Sequence, residues 1–439
     1  MATRQAQGSN NARSPRGELA LEYAQGWNVG RSNSSTSSGR DVEPIAEAAA
    51  GAAMSARFLR AWRGGWGGGR GRGHATPAGE APRREKPPWR VLFFGTDHFS
   101  TEILRALQAA RMPRPDHLVD HLEVVTLPPS HSKVLPVKKY AEQFHLPVHI
   151  WPDVGACENF DVGVVASFGR LLSEDLILKF PYGMLNVHPS YLPRWRGPAP
   201  IVHTVLHGDT VTGVTVMQIR PKRFDVGPII KQEEFAIPPR CSAKELEPLL
   251  SKEGANMLIA VLQNLPESLT KKKEQPKEGV TNAPKVTVAM SCIQWEEQTA
   301  EQILRMHRAL GAMMPLKTLW MGSNVKLLDF EEEEILPDFT DKVVAEKEAI
   351  PGLVLYHKQL KILVIRCKEG WVGVKTIIHK KKLTATDFYN GYLHSWPQNN
   401  SQTAVKNCRF QTLKLTPVKK KLKGSLSMQN NSDTIFSNM

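Results

Sequence analysis

Leu185-Asn186-Val187-His188-Pro189-Ser190-Tyr191-Leu192-Pro193-Arg194-Trp195-Arg196-Gly197 holds more chemistry than any other stretch of the chain. Asn186, His188 and Ser190 bring an amide, an imidazole and a hydroxyl close together, directly after an apolar run that reads as a strand. On an extended segment residues two apart share a face, so Asn186 and His188 point the same way. An amide that donates a hydrogen bond beside an imidazole that carries a proton is the pair needed to stabilise and protonate an oxyanion. Asp225, just before Gly227, adds a carboxylate that can orient the imidazole and raise its pKa. These three could run a group transfer without a metal. Ser190 is not set in a Gly-x-Ser-x-Gly elbow, so an acyl-serine route is not expected.

Two further segments belong with them. Val164 to Leu172 is an apolar strand running into a short loop, Phe168-Gly169-Arg170-Leu171-Leu172, that can offer backbone N–H and C=O groups to a flat heterocycle. Thr212 to Gln218 alternates as a strand does. The turn Gly95-Thr96-Asp97 lacks the Gly-x-Gly-x-x-Gly of a dinucleotide site, and no Gly-Lys-Ser/Thr offers to cradle a triphosphate. That turn either approaches a ligand through its amides or is simply tight. His203 and His207 are four apart on an expected helix, but no His-Glu-x-x-His pattern or nearby cysteine completes a metal shell. The cysteines, Cys157, Cys241, Cys292, Cys367 and Cys408, form no Cys-x-x-Cys pair, so no disulfide framework or zinc site is expected and a reducing compartment fits.

The elements that must position this chemistry begin at Trp89. Strands read at Trp89–Thr96, Leu122–Val125, Val148–Trp151, Asp161–Ala166 and Met184–Val187. Helical spacing reads at Ser100–Arg111, Val137–Gln143 and Leu171–Phe180. Strands alternating with helices predict an α/β fold with a doubly wound, mostly parallel sheet over 89–264, whose strand ends hold the ligand. A polar, Lys-rich linker is expected over 265–284. Beyond it, a helix at Glu301–Leu310 and strands at Asn324–Leu328, Gly352–Tyr356, Ile362–Cys367 and Gly370–Ile377 suggest a small β-barrel over 285–416. A basic, then polar tail covers 417–439. No apolar run is long enough to span a bilayer.

Residues 1–88 are rich in Gly, Ser, Ala and Arg without a sustained period, and are expected to be disordered. From Met54 they turn arginine-rich, acid-free and partly amphipathic, as mitochondrial transit peptides are. A plain linker or a Gly/Arg RNA-binding segment has the same texture. Because a presequence sits at the extreme N-terminus, translation from Met54 is one reading, and Met1–Ala53 an upstream extension. The chain of 439 residues carries a formal net charge of +14, from 57 Lys+Arg against 43 Asp+Glu. Such an excess favours a polyanionic partner.

Asn186-Val187-His188-Pro189-Ser190, Leu192-Pro193-Arg194-Trp195-Arg196-Gly197 and Asp225-Val226-Gly227 resemble the folate-dependent formyltransferases, most closely the branch that acts on methionyl-tRNA, in a mitochondrial form. Gly95-Thr96, Phe168-Gly169-Arg170 and Thr212-Gly213-Val214-Thr215 fit in the same order, and the resemblance runs from about Pro88 to Lys423. It implies transfer of a formyl group from 10-formyltetrahydrofolate, without a metal, to the amino group of initiator methionyl-tRNA in the mitochondrial matrix, by a monomer. Asn186 would hold the oxyanion, His188 polarise it and shuttle protons, and Asp225 orient His188. Ser190, Tyr191, Leu192 and Pro193 would line the folate site, and the backbone of Gly169, Arg170, Leu171 and Leu172 would grip the pterin. The second domain would be an oligonucleotide-binding-fold-like barrel on tRNA. Bacterial members carry a longer basic loop where Thr126 to Lys133 stands here. Arg220, Lys222 and Arg223 would take over part of its contact with tRNA phosphates. Lys380-Lys381-Lys382 and Lys419-Lys420-Lys421 are further phosphate contacts or simply solvated surface. A small amine acceptor, water as acceptor, and an RNA-binding protein with an idle transferase domain are the competing readings. The intact Asn186, His188 and Asp225 oppose the last.

Overall fold

The computed structural model describes residues 84–112, 117–129, 134–331, 350–394 and 408–415. The transit-peptide expectation, the loop positions 130–133, Lys419–Lys421 and the 417–439 tail lie outside them.

The first domain is built on a seven-stranded sheet of order β3-β2-β1-β4-β5-β6-β7. Its strands are β1 (Trp89–Gly95), β2 (Val119–Thr126), β3 (Val148–Ile150), β4 (Val162–Ala166), β5 (Met184–His188), β6 (Val211–Gln218) and β7 (Ile229–Ala236). Strands β1 to β5 pair in parallel, and β6 and β7 extend one edge as antiparallel strands. Strands β1 and β4 are buried almost throughout, as parallel strands covered on both faces must be.

Helices α1 (His98–Ala109), α2 (Pro136–Gln143) and α5 (Ala243–Gln263) share one apolar core with one face of the sheet. The short α3 (Glu174–Leu178) belongs to the core on the other face, with Leu92, Phe94, Val165 and Phe168. Capping boxes at Asp97/Ser100 and Ser242/Glu245 start α1 and α5. Helix α4 (Pro200–His207) opens on a proline and ends at Gly208 with φ +73°.

In β5 the side chains of Leu185 and Val187 are buried in the α5-side core. Burying each contributes roughly 1.5–3 kcal/mol, and a one-residue slip would send both to the other face. This register sends Asn186 and His188 to the side of the sheet that faces the ligand. Helix α5 lies tight behind the same strand at Gly254, where a Cβ would stand only 2.8 Å from Val187 Cγ1.

The structure corrects the sequence reading at two places. The helix expected over Leu171–Phe180 is confined to Glu174–Leu178, because Ser173 caps it by accepting the Leu176 N–H. Leu171 and Leu172 therefore remain in the preceding loop. Strand β7 and the 21-residue α5 were not foreseen.

After α5, a short helix α6 (Leu265–Thr270) leads into an extended strap. Lys273 exchanges backbone bonds with Ile229 (2.7 and 2.8 Å), and Ala283 with Arg196 and Ala199. The strap thus runs along the first domain before entering the second. There, α7 (Ala300–Leu310) precedes β8 (Leu316–Trp320), β9 (Ser323–Glu331), β10 (Val354–His357), β11 (Ile362–Arg366), β12 (Trp371–Ile378), β13 (Lys382–Thr384), α8 (Ala385–Phe388) and β14 (Phe410–Gln411). Their antiparallel order is β10-β11-β12-β9-β8-β14. A bridge between Leu353 and Arg409 and a bond from Phe410 N–H to Gly352 C=O join the two ends into a small barrel. Trp295, Trp320, Phe388 and Phe410 pack its interior. Helices α4 and α7 pack together at the junction, and one apolar core continues from the sheet into the barrel.

Candidate active site

The C-terminal ends of β1, β4 and β5 open onto a cavity of about 500 Å³. Ligands collect at this edge of an open α/β sheet. Thr96 Oγ1 donates to the Ser167 carbonyl (2.5 Å) and ties the β1 turn to the β4 loop. Asp97, which borders the cavity, accepts the Ser100 N–H at 3.0 Å. Burial pushes the Asp97 carboxyl above its ordinary pKa, against the lowering effect of that bond. The turn left open by the sequence therefore brings an acidic side chain to the site.

Asn186, His188 and Asp225 converge on this cavity. Asn186 Nδ2 donates to Asp225 Oδ1 at 3.2 Å, and His188 Nδ1 stands 3.7 Å from the same oxygen, just beyond direct hydrogen-bond reach. His188 and Asp225 are both nearly fully buried. His188 Nε2 lies 3.0 Å from the Trp195 carbonyl. A carbonyl only accepts, so Nε2 holds its hydrogen and Nδ1 is the nitrogen that gains or loses a proton. The second Asp225 oxygen accepts the Gly197 N–H at 2.9 Å.

Two loops hold these groups in unusual backbone conformations. Trp195 (φ +65°), Gly197 (φ +127°) and Asp225 (φ +53°) all have positive φ. Such geometry costs a non-glycine residue on the order of 1–2 kcal/mol and persists only when its surroundings enforce it. Around Trp195 they do. Asp209 accepts two bonds from Arg194 (2.8 and 2.6 Å) and one from Trp195 Nε1 (2.7 Å), while Arg194 also lies 4.3 Å over the indole. Burial raises the Asp209 carboxyl, but these donors outweigh it and hold the group below its ordinary pKa. A depressed carboxylate pKa gives stability above the unfolded value, near pH 4, that is lost as the pH falls through the folded one. Asp209→Asn is accordingly expected to cost about 2–3 kcal/mol at neutral pH, with the difference shrinking below about pH 4. Denaturant titrations of both proteins across pH check this, and a pH-independent difference refutes it.

The cavity wall takes Gly169, Arg170, Leu171 and Leu172, as well as Arg220 and Arg223. Gly169 (φ +68°) faces open space. Ser190, Tyr191, Leu192 and Pro193 do not border it. Ser190 is buried and donates to the Arg194 carbonyl (2.7 Å), and Leu192 is tied to Thr215 and Gln232. This corner secures the β5–α4 loop to β6 and β7. Arg220 pairs with Glu274 and Lys222 with Glu174 on the surface, at 2.6 and 3.0 Å. Lys222 does not reach the cavity.

His203 and His207 each bond a backbone carbonyl, of Pro284 and His203 respectively. Among the described residues no group of three or more His, Cys, Asp or Glu is placed to hold a metal, and no helix is long and apolar enough to cross a membrane.

Sequence reasoning missed Asp97, Lys285 and Gln275. Asp97 is signalled by its place just ahead of a helical pattern. Lys285, at the cavity edge, directly follows the stretch that reads as linker. Gln275 lies in the same Lys/Glu-rich stretch and carries no signal at all. In the structure its amide oxygen accepts Arg196 Nε (3.0 Å) and Nη2 (2.6 Å), and its nitrogen donates to the carbonyls of Asp225 (3.0 Å) and Gly227 (2.9 Å).

Comparison with known proteins agrees with this architecture. Residues 90–262 match the model of the formyl transferase family, and residues 285–393 that of the formyl transferase C-terminal domain. The chain is 64% identical to the mitochondrial methionyl-tRNA formyltransferase of Homo sapiens over 348 residues, covering 79% of this chain and 88% of that one. It is 62% identical to the mouse enzyme of the same name, covering 80% and 90%. The methionyl-tRNA formyltransferase of Brucella ovis is 31% identical, over 69% of this chain and 97% of its own. Asn186, His188 and Asp225 around one cavity at the strand ends, two matching domains in the same order, and relatives aligned over most of their length place the chain in the formyl transferase family, among the methionyl-tRNA formyltransferases.

Proposed function

We propose that the chain moves the formyl group of 10-formyltetrahydrofolate onto the amino group of methionyl-tRNA, with Asn186, His188 and Asp225 as its catalytic residues. The observation that carries this is their convergence on one small-molecule cavity, with His188 locked by Trp195 so that only Nδ1 exchanges protons. Folate supplies the activated formyl group on its N10. About 500 Å³ suits such a ligand, and the Gly169–Leu172 wall with the apolar Phe168 and Met217 suits a flat ring.

As the acceptor amine bonds to the formyl carbon, Asn186 donates its second amide hydrogen to the developing oxyanion. Protonated His188 donates from Nδ1. Asp225 balances the imidazolium charge and takes the proton released by the amine. When the carbon–N10 bond breaks, that proton returns to N10. One C–N bond is exchanged for another with no net proton change.

The acceptor is the initiator form of methionyl-tRNA, the compartment the mitochondrial matrix, and the acting species a monomer. The barrel and the exposed cations Arg220, Lys222 and Arg223 face the tRNA backbone. Their surface carboxylate partners are worth little against a phosphate. Lys222→Ala with Arg223→Ala should weaken tRNA binding and reduce the slope of log affinity against log salt by about 2, at roughly one unit per phosphate lost. Filter binding from low to moderate salt measures both, and an unchanged slope removes these residues from the interface.

The function itself is tested with purified protein, 10-formyltetrahydrofolate and charged or uncharged tRNA. Formyl transfer to methionyl-tRNA alone is expected. Transfer to a small amine, hydrolysis to formate, or no reaction defeats the proposal.

A further inference from the structure

We propose that Gln275 is a positioning residue of the reaction, so that the strap between the two domains is part of the active site. The inference rests on the function proposed above and lies on a residue outside both family-matched segments.

Chemistry fixes the orientation of the Gln275 amide. A guanidinium only donates, so the atom facing Arg196 is the oxygen; carbonyls only accept, so the atom facing Asp225 and Gly227 is the nitrogen. Both hydrogens and both lone pairs are then used, in four bonds. The side chain joins two loops that touch nowhere in sequence. One is the 194–199 loop, which gives the Trp195 carbonyl to His188 and the Gly197 N–H to Asp225. The other carries Asp225 itself, held at φ +53°. Further along, the strap bonds the first loop: Thr281 Oγ1 accepts the Trp195 N–H (2.8 Å), the Thr281 carbonyl accepts the Arg196 N–H (2.9 Å), and the Ala283 N–H donates to the Arg196 carbonyl (2.7 Å). Gln275 adds the second loop's carbonyl at Asp225 to this framework. It therefore sets the distance between the Asp225 carboxylate and His188 Nδ1.

The discriminating variant is Gln275→Glu. A carboxylate is isosteric and still accepts from Arg196, but it cannot donate to the Asp225 and Gly227 carbonyls. Displacing a reacting group by about an ångström costs on the order of 10²-fold. We expect kcat to fall roughly 10- to 100-fold, with the KM for folate changed less than about threefold and the melting temperature nearly unchanged. Gln275→Ala should lower kcat at least as much. The decisive reading is a double-mutant cycle with Asp225→Asn in single-turnover format. If Gln275 acts by placing the carboxylate, Gln275→Glu should have little further effect once that carboxylate is gone. Equal fold-losses in both backgrounds, or folded Gln275→Glu with wild-type kcat, overturn the assignment. Wild-type protein that transfers no formyl group at all indicts the proposed function instead.

Discussion

His188→Ala is expected to lower kcat by about 10³-fold, within the range for losing a positioned proton-transfer group, while folate and tRNA still bind. The reason is geometric. His188 gives its Nε2 hydrogen to the Trp195 carbonyl and keeps Nδ1 near the Asp225 carboxylate, which under the proposed mechanism leaves it for proton transfer and oxyanion stabilisation rather than for gripping a substrate. The expected folate wall is elsewhere, from Gly169 to Leu172. Single-turnover rates separate chemistry from binding, and equilibrium titration with folate gives the affinity directly. A variant turning over within tenfold of wild type removes the role assigned to this imidazole. A variant whose rate loss is matched by lost folate affinity moves His188 from the reaction to the binding site.

Gly227→Ala is expected to be as damaging, through space rather than chemistry. A Cβ on Gly227 would lie 1.7 Å from the backbone oxygen of Gln218. Neither atom belongs to a flexible side chain, so the backbone must move. The bond from Gln218 N–H to the Pro228 carbonyl (3.0 Å) pins that loop to the end of β6 and is the first casualty. Overpacking of this kind costs about 3 kcal/mol. Asp225, two residues away, moves with the loop, and a shift of about an ångström costs a further 10²-fold in rate. Denaturant unfolding and single-turnover kinetics on the same preparation test both parts. Normal stability with a normal rate would falsify the tight loop described above.

The grouping of Asn186, His188 and Asp225, the proposed catalytic trio, was legible in the sequence because its signals are local. Asn186 and His188 sit two apart on a strand, and Asp225 precedes a glycine. The parallel sheet was legible too, from buried runs such as Val91–Phe94 alternating with amphipathic stretches. What escaped depends on contacts far apart in sequence. Ser190 to Pro193 sit beside the trio in the chain, yet Thr215 and Gln232 draw them away from the cavity. The helix read over Leu171–Phe180 is cut short by one cap at Ser173. Gln275 looks like any residue of a solvated linker, and only the fold shows the two loops on either side of it. Helix α5 carries a readable start in the Ser242/Glu245 capping box.

Gly254 gives that helix a second meaning. The front of β5 carries Asn186 and His188 at the cavity; its back rests on a helix with no room for a methyl group beside Val187. The alignment of Asn186 and His188 therefore constrains mutational drift on the opposite face of the sheet. A side chain gained at Gly254 must be absorbed by the very strand that holds Asn186 and His188. A lesion there belongs among genetic defects that leave every functional group in place and spoil only their alignment.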